Sequence, residues 1–163
     1  MGGENNMQTK LLAALAAAVF LSGPVWAGTN IADPVTFVRA TYDKLAKDQN
    51  YAPPEDIYTP RLAALIALEK KEAGGEVGRM DFEFWTNAQD WSLKDVKVAG
   101  EPVEGAKDRE VVTAKFKNTD RKEEIHFYFE KTKAGWQLDD ARSLSQDGWT
   151  LSLILKYGWD AKK

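Results

Sequence analysis

The hydrophobic pattern changes period once along the chain, and the change separates a helical part from a strand part. From Asp33 onward, Val35, Val38, Tyr42 and Leu45 recur at intervals of three and four residues. That spacing puts them on one face of a helix. Asp33 is a good N-cap, and Pro34 fits the first helical position, where its missing N–H costs nothing. The helix should end near Lys47, before the turn-rich "DQNYAPPED". Thr59-Pro60 repeats the same start signal. A second helix follows through "RLAALIALEKKEA" and stops at Gly74-Gly75. Leu62, Leu65, Ile66 and Leu68 give it a broad apolar stripe.

After Trp91 the period becomes 2. Leu93, Asp95/Val96 and Val98 form a first strand, closed by Gly100-Glu101-Pro102. Glu110–Lys117 is the second, with Val112, Ala114 and Phe116 on one face. Glu123–Lys131 is the third: Ile125, Phe127 and Phe129 point one way, and Glu124, His126, Tyr128 and Glu130 the other. Trp136–Ser143 is the fourth, with Trp136, Leu138 and, by the same alternation, Asp140 toward the core. The connections "KNTDRK" and "KTKAG" are hairpin-length. A last helix over about Trp149–Tyr157 ends at Gly158. The pattern predicts an α+β fold: N-terminal helices packed on the apolar face of an antiparallel four-stranded meander, then a C-terminal helix.

Ahead of all this, Lys10 precedes the apolar run Leu11–Leu21, followed by Ser22, Gly23, Pro24 and "VWA" ending at Ala27. A charged start, a short apolar run and small residues before a cut site make a signal peptide over 1–27, cleaved near Ala27. Met7 is the alternative start. The run is too short to span a bilayer, which needs roughly 20 apolar residues. The expected mature protein is a single domain, residues 28–163, periplasmic or secreted, with no stable membrane anchor after cleavage.

Composition narrows the chemistry. The chain of 163 residues has no cysteine, one histidine and a net charge of −3 with the signs mixed. This excludes a disulfide framework and a thiolate metal site. There is no basic stripe for nucleic acid. One histidine, His126, half-exposed on a strand, argues against zinc, and no cofactor is expected.

Two places could carry a site. "MDFEFWTNAQDW", residues 80–91, packs Asp81, Glu83 and Asp90 among Phe82, Phe84, Trp85 and Trp91, with Asn87 and Gln89 between. "DFEFW" alternates like a short edge strand, and "NAQDW" looks like a tight turn. One reading is a structural corner whose polar groups satisfy exposed backbone. The other is a polar cluster in an aromatic-walled cleft, able to hold a polar ligand, a sugar or a metal. The spacing is not that of an EF-hand. The second place is Asp140. A carboxylate on the core side either bonds N–H groups at a helix start or is a pocket acid with a raised pKa. Candidate ligand-binding residues are Asp81, Glu83, Gln89, Asp90, Trp91, Tyr128 and Asp140.

The segments "DFEFWTNAQDW" and "GWQLDDARSLSQDGWTLSLILKYG" resemble a family of exported Gram-negative proteins and lipoproteins, a domain of unknown function. The matching positions are Asp81, Phe82, Phe84, Ala88, Gln89, Asp90 and Trp91, then Trp136, Leu138, Asp139, Asp140, Leu151 and Leu155. Glu83 and Trp85 stand where the family pattern has Asp-Pro, Ala141 stands for Ile, and the lipobox cysteine is missing. The resemblance implies a fold similar to the nuclear-transport-factor and ketosteroid-isomerase cone, with a curved sheet around a pocket. It implies no activity.

The absence of a nucleophile elbow, phosphate loop or paired-histidine helix favours a non-catalytic binding or interaction module. Its partner would be a small polar ligand or an envelope protein. The alternative is a small pocket enzyme, an isomerase, dehydratase or hydrolase. Asp140, Asp81 or Glu83 would be its base, with Tyr128 a possible donor.

Overall fold

The computed structural model describes residues 29–161. The expected signal peptide, 1–27, lies outside the described residues. Helix α1 (Pro34–Leu45) begins where Asp33 accepts a 2.6 Å hydrogen bond from the Thr36 N–H. Helix α2 (Pro60–Ala73) begins at Thr59, whose hydroxyl accepts from the Leu62 N–H, and ends at Gly74 with φ 61°. That left-handed cap is a conformation glycine adopts at little cost. Strands β1 (Leu93–Pro102), β2 (Arg109–Asn118), β3 (Arg121–Thr132), β4 (Gly135–Ser143) and β5 (Trp149–Thr150) follow, then α3 (Leu151–Tyr157). Among the described residues no helix is long and apolar enough to cross a membrane.

The five strands pair in chain order, all antiparallel, in one open sheet. The α+β architecture and the meander match the sequence pattern, but the strand count is five, not four. Trp149 pairs with Ser143 and Thr150 with Arg142, so the last helix starts at Leu151 rather than Trp149. The chain stays extended here while it delivers the buried Trp149 ring to the core and its indole N–H to Asn87.

One face of the sheet is apolar. Val112, Ala114 and Phe116 of β2 meet Ile125, Phe127 and Phe129 of β3 and Leu138 and Ala141 of β4, all buried. Helix α1 covers this face through Val38, Tyr42 and Leu45, with Tyr42 5.2 Å from Phe116 between ring centroids. Trp85, from the loop before β1, lies stacked on Phe127 at 4.4 Å. An aromatic pair of this kind adds about 0.5–1.5 kcal/mol beyond its buried area.

Both sheet edges are managed. Along β4, Ile31 bridges Trp136, and the Thr59 N–H donates to the Leu138 carbonyl at 2.9 Å. Along β1, a bulge between Lys94 and Lys97 places Asp95 at φ 56°, amid charged residues. Covering, charge and bulging each discourage pairing with another chain's strand.

Two sequence expectations fail for identifiable reasons. Tyr128 pairs with Asp140 and Phe129 with Leu138, so Asp139 is one extra residue in β4. Past this bulge the alternation slips. Leu138 and Ala141 are both buried, and Asp140 sits on the outer face with Tyr128, not on the core side. In α2 only Leu62 of the expected stripe is fully buried; Leu65 and Ile66 are partly covered, and Leu68 is 47% exposed. Helix α2 packs on α3 and the edge of β4, because α1 and Trp85 already occupy the sheet face.

Candidate functional site

Residues 80–91 do not form the edge strand that "DFEFW" suggested. They make a compact loop in which Glu83 and Ala88 bridge each other and residues 84–87 turn. The reason is packing: Phe84 and Trp85 are consecutive, and both are buried. A strand would send them to opposite faces.

Polar side chains hold the loop. The buried Tyr42 hydroxyl donates to the Trp85 carbonyl at 2.6 Å, and burial pushes its pKa well up, so it stays a neutral donor. Asn87, at φ 54°, accepts from the Trp149 indole N–H at 2.7 Å and donates to Glu123 at 2.9 Å. Glu123 is almost fully buried on the core face of β3 and is ion-paired with Arg121, which also donates to the Asn87 carbonyl. The Trp91 indole N–H donates to the Leu45 carbonyl at 2.9 Å and satisfies the end of α1. Gln49 donates to the Trp91 carbonyl. From Asn87 to Trp91 the loop is therefore a fastened corner. The polar groups that make the fastening are Asn87 and Trp91, while Asp81, Gln89 and Asp90 are exposed.

Asp140 resolves in the same way. Its carboxylate accepts from the Ser152 N–H at 3.0 Å, the Ser152 hydroxyl at 2.5 Å and the Ala141 N–H at 2.9 Å. It thus satisfies the first turn of α3. Arg61 lies 3.6 Å from Asp140 and binds Asp139 through Nε at 3.0 Å. Burial works against the charged form of Asp139, but hydrogen bonds from Arg61 and Thr59 outweigh it and hold its pKa below the usual carboxylate value.

Glu83 is different, because its side of the loop faces a cavity. The cavity lies between α2, the segment around Tyr58 and residues 80–85, with a volume of about 550 Å³. Ala63, Ile66, Ala67 and Lys70 of α2 form one wall, at helical spacing. Met80, Phe82, Phe84 and Trp85 form another, with Tyr58 and Leu151 between them. Glu83 Oε1 accepts from the Trp85 N–H at 3.1 Å. Burial raises the Glu83 pKa, and hydrogen bonds from the Trp85 and Phe84 backbone only partly offset it. Tyr58 is pushed up, first by burial and then by the Glu83 charge. At the rim Lys70 pairs with Glu55 at 2.7 Å, both exposed. The Trp85 indole N–H, fully buried nearby, has no hydrogen-bond partner among the described residues. The rings of Phe37 and Tyr42 make T-shaped contacts with that indole.

A second hollow of similar size, about 560 Å³, lies on the outer face over the β4 bulge. Tyr128 and Asp140 line it, with Arg109, Glu130, Asp139 and Arg142. Six of its eleven lining residues are charged. Small-molecule sites are mainly apolar with a few placed polar groups, which the cavity under α2 matches better. On the same outer face His126 Nε2 lies 2.9 Å from Glu124, which also pairs with Lys115. The His126 contact, followed by that of Lys115, lowers the Glu124 pKa. Among the described residues, no group of three or more His, Asp or Glu side chains is placed to hold a metal ion.

The seven candidates thus do not converge. Glu83 lies in the apolar cavity, Tyr128 and Asp140 on the opposite face of the sheet, and Trp91 in the corner. Tyr58 and the α2 positions Ala63 and Ala67 were not anticipated. The signal was present in α2, where small residues at 63 and 67 leave room beneath the helix. Glu123 was also legible, because strand alternation puts it on the face of Ile125 and Phe127.

Comparison of the chain with protein-family models, with curated proteins and with solved structures gives no match.

Proposed function

We propose that this chain is an exported, non-catalytic binding module that holds a small ligand in the cavity between α2 and residues 80–85. One observation carries the reading: the cavity combines aromatic and aliphatic walls with a single partly buried carboxylate, Glu83. The leader pattern over 1–27 supports export to the periplasm or beyond. The same reading takes up the resemblance to the exported family of unknown function and to the cone fold. An envelope protein seated on the outer face is the competing partner.

The non-catalytic part rests on separation. Asp140 and Tyr128, the pair an acid–base mechanism would use, lie across the sheet from Glu83, and Asp140 is committed to α3. A second reading keeps one observation of its own. Glu83 and the Tyr58 phenol line one cavity, so a pocket enzyme would use Glu83 as base and Tyr58 as donor.

A thermal-shift panel of sugars, amino acids, amines and peptidoglycan fragments tests the binding reading. A ligand at a hundred times its Kd adds about 2.7 kcal/mol, enough to move Tm by several degrees. The shift should vanish in Ala67→Phe, which fills the cavity from an exposed helix position. A shift retained in Ala67→Phe but lost in Arg142→Ala would move the site to the outer face.

A further inference from the structure

Three carboxylates withdrawn from solvent in this fold are given cations. Glu123, the most deeply buried of them, pairs with Arg121. Asp139 and Asp140 share Arg61. Glu83 and Glu110 have none: no lysine or arginine among the described residues forms an ion pair with either, and of the two only Glu83 lines the cavity under α2. The protein partners of Glu83 are backbone N–H groups of its own loop. Lys70, the cation in the cavity wall, is already held by Glu55 at the exposed rim.

We propose that the cavity takes an organic cation, with an ammonium group against the Glu83 carboxylate and a hydrocarbon body among Tyr58, Phe82 and Phe84. This rests on the cavity being the binding site. Charge selects the ligand. An anion would meet an uncompensated carboxylate with few donors to answer it. A neutral molecule would gain from burial but leave Glu83 as it is. A cation supplies the missing charge partner and places its own charge among aromatic rings, whose faces attract cations. The Ala63, Ile66 and Ala67 wall gives the hydrocarbon part an apolar surface that the protein's own core does not cover.

The site also predicts a pH dependence. The titratable and charged groups facing Glu83 are Tyr58, Glu55 and Lys70 around the cavity and Tyr42 from α1. Tyr58 and Tyr42 stay neutral, and Glu55 and Lys70 pair with each other at the rim. Burial holds the Glu83 pKa up, so a cation that favours the ionised form binds more weakly as pH falls through that value.

The test is isothermal titration with hexyltrimethylammonium, hexanol and hexanoate, which share a tail and differ in charge. The quaternary ammonium keeps its charge at every pH, so any pH effect belongs to the protein. The expected result is at least about a tenfold preference for the ammonium over hexanol, lost in Glu83→Gln. Glutamine keeps an acceptor for the Trp85 N–H, so that variant should fold. Ala67→Phe should abolish binding of all three probes. Equal or tighter binding of hexanol or hexanoate, blocked by Ala67→Phe, overturns the cation assignment and leaves the cavity as the site. An ammonium preference that survives Glu83→Gln overturns it too. Binding of none of the three overturns both readings.

Discussion

Replacing Asn87 with alanine removes one side chain and disturbs three things at once. The Trp149 indole N–H, 2.7 Å from Asn87 Oδ1, loses its acceptor in a residue only 1% exposed. Leaving a buried donor unpaired costs about 1–3 kcal/mol. Glu123 loses a 2.9 Å donor but keeps Arg121, which limits that loss to about 1 kcal/mol. The backbone stands at φ 54°, a region that asparagine tolerates better than alanine. With about 1 kcal/mol for the positive φ, the sum is about 3–5 kcal/mol, a large fraction of a typical stability of about 5–15 kcal/mol. Urea unfolding followed by far-UV circular dichroism measures it, with an unchanged slope as the check that only stability moved. Asn87→Gly should recover about 1 kcal/mol of the loss, because glycine accepts the positive φ. In a Trp149→Phe background, which has no indole N–H to strand, Asn87→Ala should cost less. A wild-type stability for Asn87→Ala, within about 0.5 kcal/mol, would refute the fastened corner.

Further consequences follow from the carboxylates. The folded pKa of Glu83 is raised, so its neutral form stabilises the fold below the ordinary glutamate value of about 4.3, and that contribution is lost as pH rises through the raised value. Glu83→Gln should therefore have the higher Tm at neutral pH in ligand-free protein, with the gap closing below about pH 4; a gap that does not depend on pH would contradict the burial of this group. Asp140→Ala removes the acceptor for the Ser152 N–H and hydroxyl, and should cost about 1–2 kcal/mol in thermal unfolding. A neutral outcome would mean that the α3 start is satisfied by solvent. Asp139 has its pKa lowered, so its contribution is present above the ordinary aspartate value of about 3.9 and is lost as pH falls through the lowered one. Asp139→Asn should flatten the acid limb of the stability curve, modestly and less at high salt, because Arg61 is half-exposed.

The elements were legible because their signals were local. Asp33-Pro34 and Thr59-Pro60 mark helix starts whatever the rest of the chain does, and Ile125, Phe127 and Phe129 alternate cleanly. What the sequence hid was non-local. One extra residue at Asp139 reverses the face of Asp140, and no composition signal marks a bulge in "LDDAR". The dense aromatics of residues 80–91 marked a special place, but not which side of it faces solvent. Phe84 and Trp85 are adjacent yet both buried, which only a turn permits, and the turn is set by Tyr42, Trp149 and Glu123 from distant parts of the chain. Of the α2 stripe Leu62 reaches the core while Ile66 faces the cavity, and that split depends on α1 and Trp85 having taken the sheet.

The most direct test of the binding site is amide chemical-shift mapping of the isotope-labelled protein during titration with hexyltrimethylammonium. Perturbations should cluster at residues 52–58, 63–70, 80–85 and 151, with little change at Arg109, Tyr128 and Arg142. Shifts centred on that outer-face group, or none anywhere at millimolar probe, would contradict it.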